Sequence, residues 1–128
     1  MGQLRELYDT CHQSPWLDNL SREWLRDGTL ASWIERGIRG VTSNPTIFAK
    51  AIGESSAYDE DFAAMLAGHE EVTLSDIKEI YWELVCADVQ EAARLFAGVY
   101  HSSGKEDGYV SIEVDPGLSY DTEAMVAQ

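Results

Sequence analysis

Gly37-Ile38-Arg39-Gly40-Val41-Thr42-Ser43-Asn44-Pro45 decides how this chain is built. Up to Ser43 the run is short, rich in β-branched residues and bounded by glycines, which reads as a strand. Asn44 then stands where a helix N-cap belongs, and Pro45 where the first helical residue belongs. The spacing predicts a helix over residues 46–52, stopped by Gly53. A strand that turns directly into a helix is the front half of a βα unit.

The same pattern extends to both sides. Upstream, Trp16-Leu17-Asp18-Asn19-Leu20 is an apolar run broken by one acid and reads as a strand or strand end. Ser21 can cap a helix over residues 23–26 that ends at Asp27-Gly28. Thr29 can cap another over residues 30–35, with Gly37 just beyond it. Residues 1–15 predict only one amphipathic turn around Leu4, Leu7 and Tyr8, broken at Ser14-Pro15. Downstream, residues 57–67 read as a helix closed by Gly68. From Ser75 onward Ile77, Ile80, Tyr81, Leu84 and Val85, then Ala92, Leu95, Phe96 and Val99, recur at helical spacing and predict one long helix. Residues 109–114 form the clearest strand, with Val110, Ile112 and Val114 alternating with Ser111 and Glu113. Pro116-Gly117 ends it, and a last helix begins over residues 119–124 with Asp121 or Ser119 as cap. Strands alternating with helices imply an α/β fold with a parallel sheet. Residues 1–128 form one segment without internal repeat or linker. Three parallel strands with a last helix cut short predict the front part of a larger α/β protein.

Composition narrows the functions. The chain has 128 residues, 9 Lys and Arg against 23 Asp and Glu, and a net charge of −14. Nucleic acid and anionic membrane repel such a surface, so neither is an expected partner. No apolar run approaches the roughly 20 residues of a membrane helix, and the charged N-terminus has no signal-peptide core. Cys11 and Cys86 fit no ligand spacing and read as reduced thiols of a cytoplasmic protein. His12, His69 and His101 are scattered, so no metal site is expected.

Parallel strands are usually buried on both sides, so the polar residues within them need explaining. Residues two apart share a face. Ser111, Glu113 and Asp115 share one; Thr42 and Asn44 share another. Asp18 interrupts the first strand. Each strand thus carries a polar group near its C-terminal end, where parallel α/β folds bind their ligands. The candidate site residues are Asp18, Thr42, Asn44 and Glu113. Plainer roles stand beside them: Asn44 can cap the helix after it, Asp18 can accept backbone hydrogen bonds, and Glu113 can be a solvated edge residue. Asp115 reads as a turn residue and Asp88, within the long helix's apolar stripe, as a paired structural acid.

Three runs resemble a known family. Gly40-Val41-Thr42-Ser43-Asn44-Pro45-Thr46-Ile47 is similar to the first signature of the transaldolases. Val110-Ser111-Ile112-Glu113-Val114-Asp115-Pro116, with Leu118-Ser119-Tyr120-Asp121-Thr122, resembles their third barrel strand and the start of the next helix. Trp16-Leu17-Asp18-Asn19-Leu20-Ser21-Arg22 resembles the first strand of bacterial, actinobacterial-type members. The chain departs from the family at Gly117, where an arginine is usual. The resemblance implies the N-terminal part of a TIM (α/β)₈ barrel, about three of its eight strands, which cannot close alone.

It further implies a transferase of the pentose phosphate pathway that needs no cofactor and no metal. Such an enzyme moves a dihydroxyacetone unit from sedoheptulose 7-phosphate to glyceraldehyde 3-phosphate through a Schiff base on a lysine. By motif, Asp18 handles a hydroxyl proton during cleavage, Glu113 works through water as general acid/base, and Asn44 holds substrate hydroxyls with Thr42 in support. Lys50, Lys78 and Lys105 lie outside the matching motif, so the chain is expected to lack the Schiff-base lysine and to be inactive alone. Its exposed apolar faces predict a homo-oligomer or association with a missing C-terminal part. The alternative is a non-catalytic, self-associating remnant of the family.

Overall fold

The computed structural model describes residues 2–128. Its centre is a three-stranded parallel sheet in the order β1-β2-β3, formed by Trp16–Leu17, Gly40–Val41 and Tyr109–Val110. Trp16 pairs with Gly40 and Gly40 with Tyr109; Leu17 pairs with Val41 and Val41 with Val110. The sheet does not close, and β1 and β3 are both free edges.

All three strands are shorter than the hydrophobic pattern predicts. Beyond Val41 the chain turns at Ser43-Asn44 into a helix, so residues 112–114 have no backbone partner left on β2. The last ladder bond runs from the Ser111 N–H to the Val41 carbonyl at 3.0 Å. The buried Ser43 hydroxyl then donates to the Ser111 carbonyl at 2.6 Å and ends the pairing.

Helices cover one face of the sheet, and the last of them lies beyond the strand ends, beside the opposite side. They are α1 (Gln3–Cys11), α2 (Arg22–Arg26), α3 (Thr29–Arg36), α4 (Pro45–Glu54), α5 (Asp59–Leu66), α6 (Leu74–Ser102) and α7 (Thr122–Ala127). Val41, with Leu17 and Val110 beside it, packs onto Leu20, Leu30, Phe48, Val85 and Phe96. A smaller cluster of Tyr58, Ile80 and Leu84 joins α6 to the α4–α5 connection. The other face holds Trp16 and Tyr109, 38% and 46% exposed. Between them Gly40 is a necessity, because a Cβ there would stand 2.3 Å from the Trp16 ring.

Local signals place most helix starts. Ser21 caps α2 through the Trp24 N–H, and Asn44 caps α4 through the Ile47 N–H at 2.9 Å with Pro45 in first position. Asp121, not Ser119, caps α7. Several boundaries differ from the sequence expectation. Residues 3–11 form a full helix because tertiary contacts hold it: Arg5 donates to the Glu35 carbonyl and the Arg39 guanidinium lies 3.5 Å from the Tyr8 ring. In α3, Gly28 at φ 82° takes the cap position and Thr29 is already helical. Helix α4 runs through Gly53 to Glu54, because Ser55 is the residue that leaves to cap the next turn at Ala57. Residues 56–58 then form a 3-10 turn rather than the start of α5, since the Tyr58 hydroxyl is buried against Arg22 and Asp88. The long helix starts at Leu74, behind a capping box between Thr73 and Asp76.

Candidate functional site

The ends of the strands make the site. Asp18, Thr42 and Ser111 stand one residue beyond the paired positions, so they share the side of the sheet on which Trp16, Gly40 and Tyr109 lie. Asn44 follows with the same parity, and Glu113 lies past the end of the ladder. This is the face the helices leave uncovered. It opens into a cleft of about 860 Å³ whose lining includes Asp18, Asn44, Ile112, Glu113, Ser119 and Met125. That volume lies within the roughly 300–1,000 Å³ of small-molecule sites.

Three of the four candidates from sequence therefore meet in one cleft. Asp18 is exposed, and its Oδ1 accepts a hydrogen bond of 2.6 Å from the Thr42 hydroxyl. Thr42 itself is set back from the cleft lining, and its hydroxyl also lies 3.3 Å from the Leu17 carbonyl. Asn44 serves two positions. Its Oδ1 is engaged by the Ile47 N–H, which fixes the amide plane and leaves the NH₂ group as the free end toward the cleft. Glu113 is exposed on the opposite wall, and among the described residues no side chain or backbone group holds its carboxylate. It is free to act through solvent.

The wall beyond Glu113 is tethered. The Asp115 Oδ1 accepts from the Gly117 N–H at 2.8 Å, its Oδ2 meets the Lys78 ammonium at 3.0 Å, and its own N–H donates to the Gln128 side chain. The Gly117 N–H, and then Lys78, hold the Asp115 carboxyl below the usual carboxylate range. The structure thus gives Asp115 the turn role expected of it and adds a link to α6. Behind Asp18, Arg22 is 6% exposed and joins Asp88 at 2.8 Å and Asp61 at 2.5 Å. Tyr58 donates to Asp88 and accepts from the Arg22 N–H, so the loop that carries Asp18 is anchored to α6. Asp88 is the paired structural acid that its place in an apolar stripe suggests.

Among the lining residues that the sequence reading did not single out for the site are Ser119 and Met125. They reach the cleft because the chain doubles back through a 3-10 turn at Pro116–Leu118 into α7. Only the Pro-Gly signal hinted at that reversal. The three lysines are placed elsewhere. Lys78 is paired with Asp115, Lys105 sits in a turn at the far end of α6 with φ 75°, and Lys50 lies on α4 beside a neighbouring hollow. No helix among the described residues is long and apolar enough to cross a membrane.

Comparisons with known proteins agree with the motifs. The family model for transaldolase/fructose-6-phosphate aldolase matches residues 15–128. The transaldolase of Thiobacillus denitrificans is 47% identical over 115 residues, covering 89% of this chain and 31% of that protein. The transaldolase of Trichodesmium erythraeum is 44% identical over 117 residues, 91% of this chain and 30% of that protein. Transaldolase 1 of Streptomyces coelicolor is 43% identical over 128 residues, 99% of this chain and 32% of that protein. The chain spans about 30% of the length of the curated relatives it matches. Its three parallel strands with polar C-terminal ends, its ordered motifs and this match place the chain in the transaldolase/fructose-6-phosphate aldolase family.

Proposed function

We propose that this chain is the part of a transaldolase that carries its proton-handling and hydroxyl-binding groups, and that it works with the remaining strands of the barrel. The observation that carries this reading is the convergence of Asp18, Asn44 and Glu113 on one cleft at the strand ends. In the complete enzyme a lysine outside this chain captures the carbonyl of a ketose phosphate as an iminium. The Asp18 carboxylate takes the proton of the hydroxyl next to the scissile bond. The O–H electrons become a carbonyl, the carbon–carbon bond breaks, and its electron pair passes to the iminium. Addition to the acceptor aldehyde runs the same transfers in reverse, with sedoheptulose 7-phosphate and glyceraldehyde 3-phosphate as the substrate pair. Glu113, through a water, exchanges protons during formation and hydrolysis of the Schiff base. Asn44 offers its NH₂ donors to a substrate hydroxyl. Thr42 supports that wall.

The cleft lining contains Asp18, Glu113 and Asp115 and no lysine or arginine. A phosphate would be repelled here, so its cations come from the rest of the barrel. The uncovered face with Trp16 and Tyr109 supports association, and the free edge of β3 supports strand addition from a C-terminal part. The free thiols of Cys11 and Cys86 also suit a cytoplasmic metabolic enzyme. Borohydride trapping with fructose 6-phosphate tests the proposal. The chain alone gives no covalent adduct; mixed with the C-terminal remainder of a transaldolase it gives one, on the remainder. An adduct on Lys50, Lys78 or Lys105, or a mixture that neither associates nor traps, refutes it.

A further inference from the structure

We propose that Thr42 is a positioning residue that acts through Asp18 rather than on the substrate. The inference rests on the transaldolase reading for the role of Asp18, and on geometry for everything else. A threonine hydroxyl has one proton to give. Two acceptors are in reach, the Asp18 carboxylate at 2.6 Å and the Leu17 carbonyl at 3.3 Å. The shorter, charged acceptor takes the proton, because a hydrogen bond to an ionised group is the stronger one. The Leu17 carbonyl already accepts the Thr42 N–H at 2.8 Å, so it gains little from a second donor.

Thr42 is well suited to this task. Its backbone is clamped to β1 by that N–H bond, and it stands directly across from Asp18 in the extended register. Its β-branched side chain has few rotamers, so the donor is held in place before Asp18 arrives. Asp18 lies on an exposed strand end with no other hydrogen-bond donor to its carboxylate among the described residues. Without Thr42 its side chain would be free to turn. With it, one oxygen is fixed and the second is left for the substrate hydroxyl. Thr42 is set back from the cleft lining, which separates its role from that of Asn44.

The test compares Thr42→Val, which keeps shape and branching, with Thr42→Ser, which keeps the donor. In the chain as it stands, three-bond couplings of Asp18 report its χ1 rotamer. A single rotamer is expected in the parent and in T42S, and averaging in T42V. Averaging in the parent, or an unmoved rotamer in T42V, overturns the proposal. The second measurement puts these 128 residues in place of the matching segment of the Thiobacillus denitrificans transaldolase. There T42V lowers kcat about 10- to 100-fold with KM nearly unchanged, the scale of a misplaced reacting group, and T42S recovers it. A rise in KM at constant kcat means that Thr42 binds substrate directly and overturns the proposal. A parent chimera that is inactive counts against the transaldolase reading alone, and the rotamer result then decides the role of Thr42.

Discussion

Asp88→Ala removes the acid on which the buried part of the molecule converges. The Asp88 carboxylate is 3% exposed and accepts from Arg22 Nε and from the Tyr58 hydroxyl, each at 2.8 Å. Burial raises its pKa, while Arg22 and Tyr58 pull the other way. Removing one partner of a buried ion pair costs about 3–5 kcal/mol, because the other charge stays buried. Here Arg22 keeps Asp61 at 2.5 Å and remains 4.4 Å from the centre of the Tyr58 ring, so the ion-pair loss falls at the low end. The Tyr58 hydroxyl, however, loses the acceptor it has among the described residues, at a cost of about 1–3 kcal/mol. The two losses share one network and do not add fully, which leaves about 3–4 kcal/mol. For a chain of this length that is a fall in Tm of about 10–20 °C, against a total stability of about 5–15 kcal/mol. Thermal unfolding followed by circular dichroism reads it. Asp88→Asn keeps an acceptor for one partner and should lose about half as much. A D88A variant that melts within about 3 °C of the parent would refute the argument, since the triad would then contribute almost nothing to stability.

Two further outcomes follow from exposed features. Thr73→Ala breaks the capping box that starts the 29-residue α6 and should cost about 1 kcal/mol, read as an early melting of amide protection over its first turn. The Asp115 tether sets a pH dependence. Its folded pKa lies below the ordinary value, so its contribution is present above that ordinary value and lost as pH falls through the lowered one. The Gly117 amide proton should report a midpoint below the usual carboxylate range. Lys78→Met should raise it only part of the way, because the Gly117 N–H is the larger cause; a midpoint that does not move removes Lys78 from the tether.

Much of this architecture can be read from single residues. Asn44-Pro45 places the start of α4, Ser21 that of α2, and the apolar period from Ile77 to Val99 the course of α6, because caps and periodicity are local properties. Strand length is not local. Val110, Ile112 and Val114 alternate well, yet the ladder stops at Val110 because β2 has already turned away. Of helix α1 only the turn around Leu4, Leu7 and Tyr8 is legible, since the arginines that hold its full length, Arg5 and Arg39, act across about 30 residues of sequence. For the site, parity suffices to put Asp18, Thr42 and Asn44 on one side of the sheet; it stops with the ladder, and residues 112–115 line the cleft one after another. It says nothing of which of them touch. That Thr42 gives its proton to Asp18, and that Ser119 and Met125 close the wall, depends on register and on the reversal at Pro116.

The same parity explains why the cleft is preformed although no barrel surrounds it. Side chains at Leu17, Val41 and Val110 anchor the strands to Phe48, Val85 and Phe96, and that packing fixes the register from behind. Once the register is fixed, the next residues on the other side have no freedom to separate: Asp18 and Thr42 must meet, and Asn44 is locked by its own helix cap. The apolar face therefore sets where the polar groups stand, and the Thr42 hydroxyl and the helix cap set how Asp18 and Asn44 are turned. What the open face lacks is enclosure, for Trp16 and Tyr109 lie in solvent where a buried sheet would be dry. Charge interactions in such a wet cleft are weak, and those that matter for proton transfer strengthen only when water is excluded. On the proposed transaldolase reading, added strands on the β3 side would thus have two separable effects, supplying the Schiff-base amine and drying the groups already in place.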